Sequence, residues 1–178
     1  MTVVRATDVR FVRASVDLVT PFSFALLAGE TYDLRQPTAR AASIAARLCA
    51  AIVKPSTGSI VVGHFETRLQ APEAKRRIGF VDARGFVGDA HAFRCEVAFH
   101  ADVWAVAPAL ARTRAEATLD ALQSDTPYAR AIALAFVAEV SLIVLDAPEA
   151  GLAARVRAIA PEAAFVRTHA GSAAASAS

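Results

Sequence analysis

The chain has 178 residues, enough for one domain with at most a small appended lobe. It is 55% hydrophobic and 20% charged, with a mean hydropathy of +0.40, so it can bury a full core and is more apolar than an ordinary soluble monomer, which points to an interface. A net charge of +2 argues against a strongly basic nucleic-acid binder, and two cysteines, Cys49 and Cys95, make neither a disulfide scaffold nor a zinc finger and fit a reducing cytosol.

The opening run lacks the apolar stretch of a signal peptide, and no segment reaches the ~20 apolar residues of a membrane span. Glu139 interrupts the most apolar segment, 131–145. Residues 3–12 and 16–27 read as strands, and Gly29-Glu30 turns the chain into a third short run at 31–34. After Pro37, residues 40–53 predict a helix, with Ile44, Leu48 and Ile52 recurring at helical spacing. Pro55 to Gly58 ends it; 59–62 is a strand and Gly63-His64 a turn. Residues 71–75 are a short helix, 78–81 a strand and 82–92 a loop. Helices at about 93–106 and 108–122 follow, the second opened by Pro108. Thr126-Pro127 is a cap and first-turn proline for a helix over 127–139. Leu142 to Leu145 is wholly apolar, as a strand covered on both faces of a parallel sheet should be. The last strand is 163–168, and residues 171–178 are a low-complexity tail expected to be disordered. The order predicts an α/β fold with an antiparallel β lobe at the N-terminal end.

In this frame LLAGETYDL (26–34), ARLCAAIVKPSTGSIVVGH (46–64), RRIGFV (76–81), YARAIALAFVAEVSLIVLDAPEAGL (128–152) and FVRTHA (165–170) stand in order. Together they resemble the ATP-binding cassette of ABC transporters, over roughly residues 3–169. The resemblance implies a P-loop NTPase-like parallel sheet core, an N-terminal antiparallel β lobe and a shortened helical lobe at about 84–126, all in one domain over 1–170.

Phosphate binding in such a fold needs glycines that turn backbone N–H groups toward the ligand, a lysine, and a Ser or Thr that holds Mg²⁺. In register with that loop stand Gln36, Pro37, Thr38, Ala39, Arg40, Ala41, Ala42 and Ser43. Gln36, Ala39 and Ala41 replace glycines, Ala42 replaces the lysine, and Ser43 alone survives. The strand that carries the Mg²⁺-side carboxylate keeps Asp146, but Ala147 follows where a carboxylate should orient the attacking water. Glu149 reads as a helix-start carboxylate rather than a substitute base. Ala83 falls on the Q-loop glutamine; the adenine-stacking aromatic falls near Arg13, with Phe11 beside it as a core residue. The signature motif falls on Leu122 to Thr126, where Asp125 would repel a phosphate and cap its own helix instead. His169 matches the switch histidine, without its acid partner, since Ala170 follows. His64, His91 and His100 fit no metal-ligand pattern with the cysteines.

These losses imply a degenerate ATPase with no catalytic residues and no cofactor expected. Arg40, Ser43, Asp146 and His169 are its vestigial nucleotide site. The resemblance implies a non-hydrolysing subunit with a structural or regulatory role in a membrane transporter assembly, cytoplasmic and peripheral at the inner face. Its partners would be a permease subunit, a second cassette or both, in a homo- or heterodimer. Phe86, Phe93, Phe99 and Trp104 would line the docking cleft. One alternative is weak ATP and Mg²⁺ binding or hydrolysis beside a complete partner cassette. The second is a soluble scaffold with no permease. A nucleic-acid role finds no basic stripe.

Overall fold

The computed structural model describes residues 2–148 and 150–171. The chain opens with strands β1 (Thr2–Arg10), β2 (Val12–Arg13), β3 (Val16–Asp17), β4 (Phe22–Leu27) and β5 (Thr31–Gln36), then helix α1 (Ala39–Cys49). Strands β6 (Thr57–Val62) and β7 (Phe65–Glu66), helix α2 (Ala71–Lys75) and strand β8 (Ile78–Val81) follow. Helices α3 (Ala90–Trp104), α4 (Pro108–Leu122) and α5 (Pro127–Ala135) precede strand β9 (Leu142–Asp146), helix α6 (Ala150–Ile159) and strand β10 (Ala164–Ala170).

Two sheets carry the molecule. One has the order β4-β1-β6-β7 and is antiparallel; the other has the order β5-β10-β9-β8 and is parallel throughout. The expected α/β fold, with a parallel core and an antiparallel lobe, is the observed one. All five residues of β9 are buried, which is why its sequence shows no alternation. The parallel sheet separates two apolar clusters: Leu34, Leu48, Leu142, Val144 and Val166 lie with α1 and the antiparallel lobe, and Ile143, Leu145, Phe165, Ile132 and Val156 lie with α5 and α6. A third cluster, with Phe93, Val97, Ala111, Ala115 and Leu134, holds α3, α4 and α5 together.

The expected strand over 16–27 is divided. Ala14 and Ser15 both take positive φ (49° and 62°), closing a two-residue hairpin between β2 and β3, and Pro21 lacks the N–H a continuous ladder needs. Helix α1 stops at Cys49 rather than 53, because Ala51 turns left-handed at φ 57° and leaves Ile52 49% exposed. Helix α3 starts at Ala90 rather than 93, because the Asp89 carboxylate accepts a 2.8 Å bond from Ala92 N–H and caps it. Helix α5 ends at Ala135, short of 139, and α6 occupies the stretch where only a helix start, at Glu149, was expected.

Candidate functional site

The site is built where β5 runs into α1. Thr38 is extended (φ −135°), and its hydroxyl accepts from Ala41 N–H at 3.1 Å, so the helix is capped by its own loop. Ala41, Ala42, Ala45 and Ala46 are buried, and these small side chains let α1 lie close on the parallel sheet. Ala42 therefore points inward, at the position where the resemblance places a lysine. Gln36 is 2% exposed. Its amide oxygen accepts from Thr20 N–H at 2.8 Å, and its amide nitrogen donates to the Thr20 carbonyl at 3.2 Å. Its own carbonyl accepts from Gly171 N–H at 2.6 Å. A glutamine in a glycine's place thus ties the loop to residue 20.

Ser43, one turn into α1, donates to Asp146 Oδ2 at 2.5 Å, and Thr168 of β10 donates to Asp146 Oδ1 at 2.9 Å. The Tyr128 hydroxyl donates to the Asp146 carbonyl at 3.2 Å. Asp146 is 1% exposed, so its carboxylate is out of water with both oxygens held by neutral hydroxyls. The structure thus brings Ser43 and Asp146 together and adds Thr168, which the sequence reading did not single out. Ala147 follows at φ 47°, its N–H bonded to the Thr168 carbonyl at 3.1 Å. Its methyl neither accepts nor donates a proton. Glu149 lies outside the described residues.

Arg40 is exposed at the start of α1 and makes no ion pair or hydrogen bond among the described residues. His169 does not join Asp146. Neighbouring strand residues point to opposite faces, so with Thr168 turned to Asp146, His169 faces the other way. There its Nε2 lies 3.2 Å from Asp33 Oδ1. Arg167 grips the same carboxylate with two bonds of 2.7 Å. Burial would raise the Asp33 pKa, but Arg167 and then His169 outweigh it and hold the carboxyl below its ordinary value.

The remaining motif positions hold salt bridges and caps. Ala83 is exposed; its neighbour Asp82 accepts from Arg47 at 3.1 Å and from Arg84 at 3.0 Å. Burial pushes Asp82 up, yet the Arg84 side chain and backbone, with Arg47, pull it down to about 2. In the signature register Gln123 is left-handed at φ 49°. Thr126, not Asp125, caps α5, accepting from Ala129 N–H at 3.2 Å. This is the cap expected from Thr126-Pro127 and corrects the one expected at Asp125, which instead takes two bonds, of 2.6 and 2.7 Å, from Arg130, whose side chain also donates to the Gly88 carbonyl at 3.0 Å. The Arg130 bonds hold the Asp125 pKa below its ordinary value. Phe11 packs against the first core cluster, and Arg13 is exposed in the β2–β3 hairpin.

The four docking candidates separate. Phe93 is 9% exposed and meets Phe86 edge-on at 5.7 Å, both within the cluster under α3–α5. Both rings pack into the helical lobe, and Phe93 also lines a cavity of about 930 Å³ between α3 and α4. Phe99 is 60% exposed. Half-buried Trp104 lines a cleft of about 270 Å³ between the lobes, with Ile52, Phe80, His100, Leu134 and Val140. In that cleft burial lowers the His100 pKa, and Glu96 at 3.5 Å opposes the shift. Among the described residues no group of three or more His, Cys, Asp and Glu is placed to hold a metal, and no helix is long and apolar enough to cross a membrane.

A parallel sheet in which the Asp at the end of one strand meets a Ser on the helix that follows another strand, here Asp146 of β9 and Ser43 of α1, is the arrangement of a P-loop NTPase-like fold. No protein-family model matches the chain, and no curated protein matches it. Solved structures do. An ATP-binding subunit of an ABC transporter matches at 15% identity and a TM-score of 0.74, over 94% of this chain and 79% of the other. A putative ABC transporter ATP-binding protein from Pyrococcus furiosus matches at 10% identity and 0.71, over 96% and 92%. A cassette solved as a dimer in a post-hydrolysis state with ADP and Pi matches at 14% and 0.70, over 93% and 88%. The chain has the fold of the ATP-binding subunits of ABC transporters.

Proposed function

We propose that the chain is a non-hydrolysing ABC-type nucleotide-binding-domain subunit, with a structural or regulatory role in a membrane transporter assembly. The observation that carries this is what surrounds Asp146: the buried carboxylate is followed by Ala147, and Ala42 is buried where the resemblance places a lysine. An ATPase of this fold needs a carboxylate or equivalent to orient water, and cations to offset phosphate charge. Here Ala147 and Ala42 stand in those places, and the glycines that would turn N–H groups inward are Gln36, Ala39 and Ala41. Gln36 is further committed to Thr20. These residues do not make a triphosphate cradle. Partners would be a permease subunit, met through Trp104 and Phe99, and a second cassette, with the chain peripheral at the cytoplasmic face.

A second reading has one observation in its favour: Ser43 and Asp146 are already adjacent, as a weak Mg²⁺–ATP site would require, with Arg40 exposed nearby as the only cation of the loop. Phosphate release and ATP titration with Mg²⁺ separate the two. The proposed function expects no Mg²⁺-stimulated phosphate release and no micromolar binding. Phosphate release abolished by Asp146→Asn would overturn it. Recovery from membranes together with a permease, against recovery from the cytosol, distinguishes a transporter subunit from a free scaffold.

A further inference from the structure

Strand β5 is the end strand of the parallel sheet, with β10 on one side and no strand on the other among the described residues. Its bonding direction follows from the two ends of the ladder. Phe165 N–H donates to the Glu30 carbonyl at 2.8 Å, and Gly171 N–H donates to the Gln36 carbonyl at 2.6 Å. Along a strand the N–H and C=O of one residue point to the same side, and successive residues alternate. Even-numbered residues of this stretch therefore face β10. Thr31, Asp33 and Arg35 turn their N–H and C=O groups outward, which leaves the row of free donors and acceptors that marks an open edge.

The opposite edge of the same sheet differs. Strand β8 has only four residues, three of them buried, and α5 and α2 pack against it. On β5, Asp33 and Arg35 are exposed; Asp33 is held from its own chain by Arg167 and His169, whereas Arg35 makes no ion pair among the described residues. Both side chains lie on one face of the strand.

These two charges select a partner and a register. A second copy of the chain, added antiparallel across a two-fold axis, can pair only outward-facing residues with outward-facing residues. If Asp33 opposes Asp33 of the second copy, like charges meet; if Arg35 opposes Arg35, the same holds. If Asp33 opposes Arg35, the two-fold repeats the contact as Arg35 against Asp33, and Leu34 sits on the axis. Opposite charges directly across a ladder stabilise it, and like charges destabilise it. A two-fold interface of this kind is self-complementary, as closed dimers require.

We propose that the outer edge of β5 pairs antiparallel with β5 of a second copy, Asp33 opposite Arg35 in both directions, joining two four-stranded sheets into one of eight strands. The interface is independent of the nucleotide question, since it uses the face that carries Asp33, Arg167 and His169 rather than Asp146.

Light scattering behind size exclusion, over a concentration series of the full chain, should show a dimer. Arg35→Glu sets a second carboxylate against Asp33 and should weaken dimerisation about tenfold or more. Asp33→Arg, which also gives up the bonds from Arg167 and His169, should do the same by setting guanidinium groups together. An equimolar mixture of the two variants restores both opposite-charge contacts and should give a heterodimer. A variant that failed to fold would not be rescued by mixing, so a second readout is used. A chain carrying Asp33→Cys mixed with one carrying Arg35→Cys, both with Cys95→Ser, should form an intermolecular disulfide, because bonded antiparallel partners have Cα atoms about 5.5 Å apart. Neither should do so alone. A wild-type chain that stays monomeric at every concentration would overturn the proposal. So would a dimer indifferent to Arg35→Glu, or slow amide exchange of Asp33 and Arg35 in dilute monomer, which would mean that the chain covers this edge itself.

Discussion

Asp146 and Asp125 both stand at positions where the resemblance places a group that handles phosphate, and the protein treats them in opposite ways. Asp146 is 1% exposed and is held by the hydroxyls of Ser43 and Thr168. Asp125 is exposed and is held by the charged fork of Arg130. In a buried place a carboxylate must have its hydrogen bonds, and losing one costs the desolvation of whatever is left unpaired. In an exposed place water substitutes for a lost partner, and a salt bridge contributes little. The contrast teaches that Asp146 is built into the fold, whereas Asp125 only shapes a loop.

Substitutions at four positions test this contrast, from the largest effect downward. Asp146→Ala should cost about 2–4 kcal/mol in chemical denaturation, because two buried hydroxyls lose their acceptor, while Asp146→Asn, which keeps an acceptor, should cost less. An Asp146→Ala protein as stable as wild type would show that the cluster is not structural. Thr168→Val conserves shape and removes one donor to the carboxylate; about 1.5–3 kcal/mol is expected by the same measurement. The third concerns pH. Asp82 titrates at about 2 in the fold, below the 3.8 of a free aspartate, so its contribution is fully present above pH 4 and drains away as pH falls toward 2. Asp82→Asn should flatten that part of an acid-denaturation curve, and an unchanged curve would remove Arg47 and Arg84 as its cause. Last, Asp125→Asn should change the melting temperature little, and 1 M salt should erase what change there is.

Much of the fold was legible because it rests on local signals. The bounds of α2, α4 and β8 follow from Pro72, Pro108 and a short apolar run, and β9 follows from LIVL. Helix α6 carries Leu152, Val156 and Ile159 at helical spacing, yet with Pro148 and Gly151 near its start only its beginning, at Glu149, is read from the sequence. At the site, Ser43 and Asp146 came from resemblance. Thr168 against Asp146, Gln36 against Thr20 and Arg167 against Asp33 did not, because strand register sets them. The last pair is 134 residues apart in sequence, and no spacing rule joins such residues until the order β5-β10-β9 is known. Thr126 and Asp125 both read as caps of α5 because Asp and Thr are both good caps, and only geometry chooses between such neighbours.

Gly85 carries a consequence for mechanics. It sits at φ 67°, where a β-carbon would lie 2.6 Å from the Pro127 backbone, and Phe86 N–H donates to the Pro127 carbonyl at 2.7 Å. Segment 82–88 and the first turn of α5 are riveted backbone to backbone, with no side chain between them to act as a cushion. Any molecule that tugs on this segment therefore levers α5 as well, and through Tyr128 the pull arrives at the end of β9.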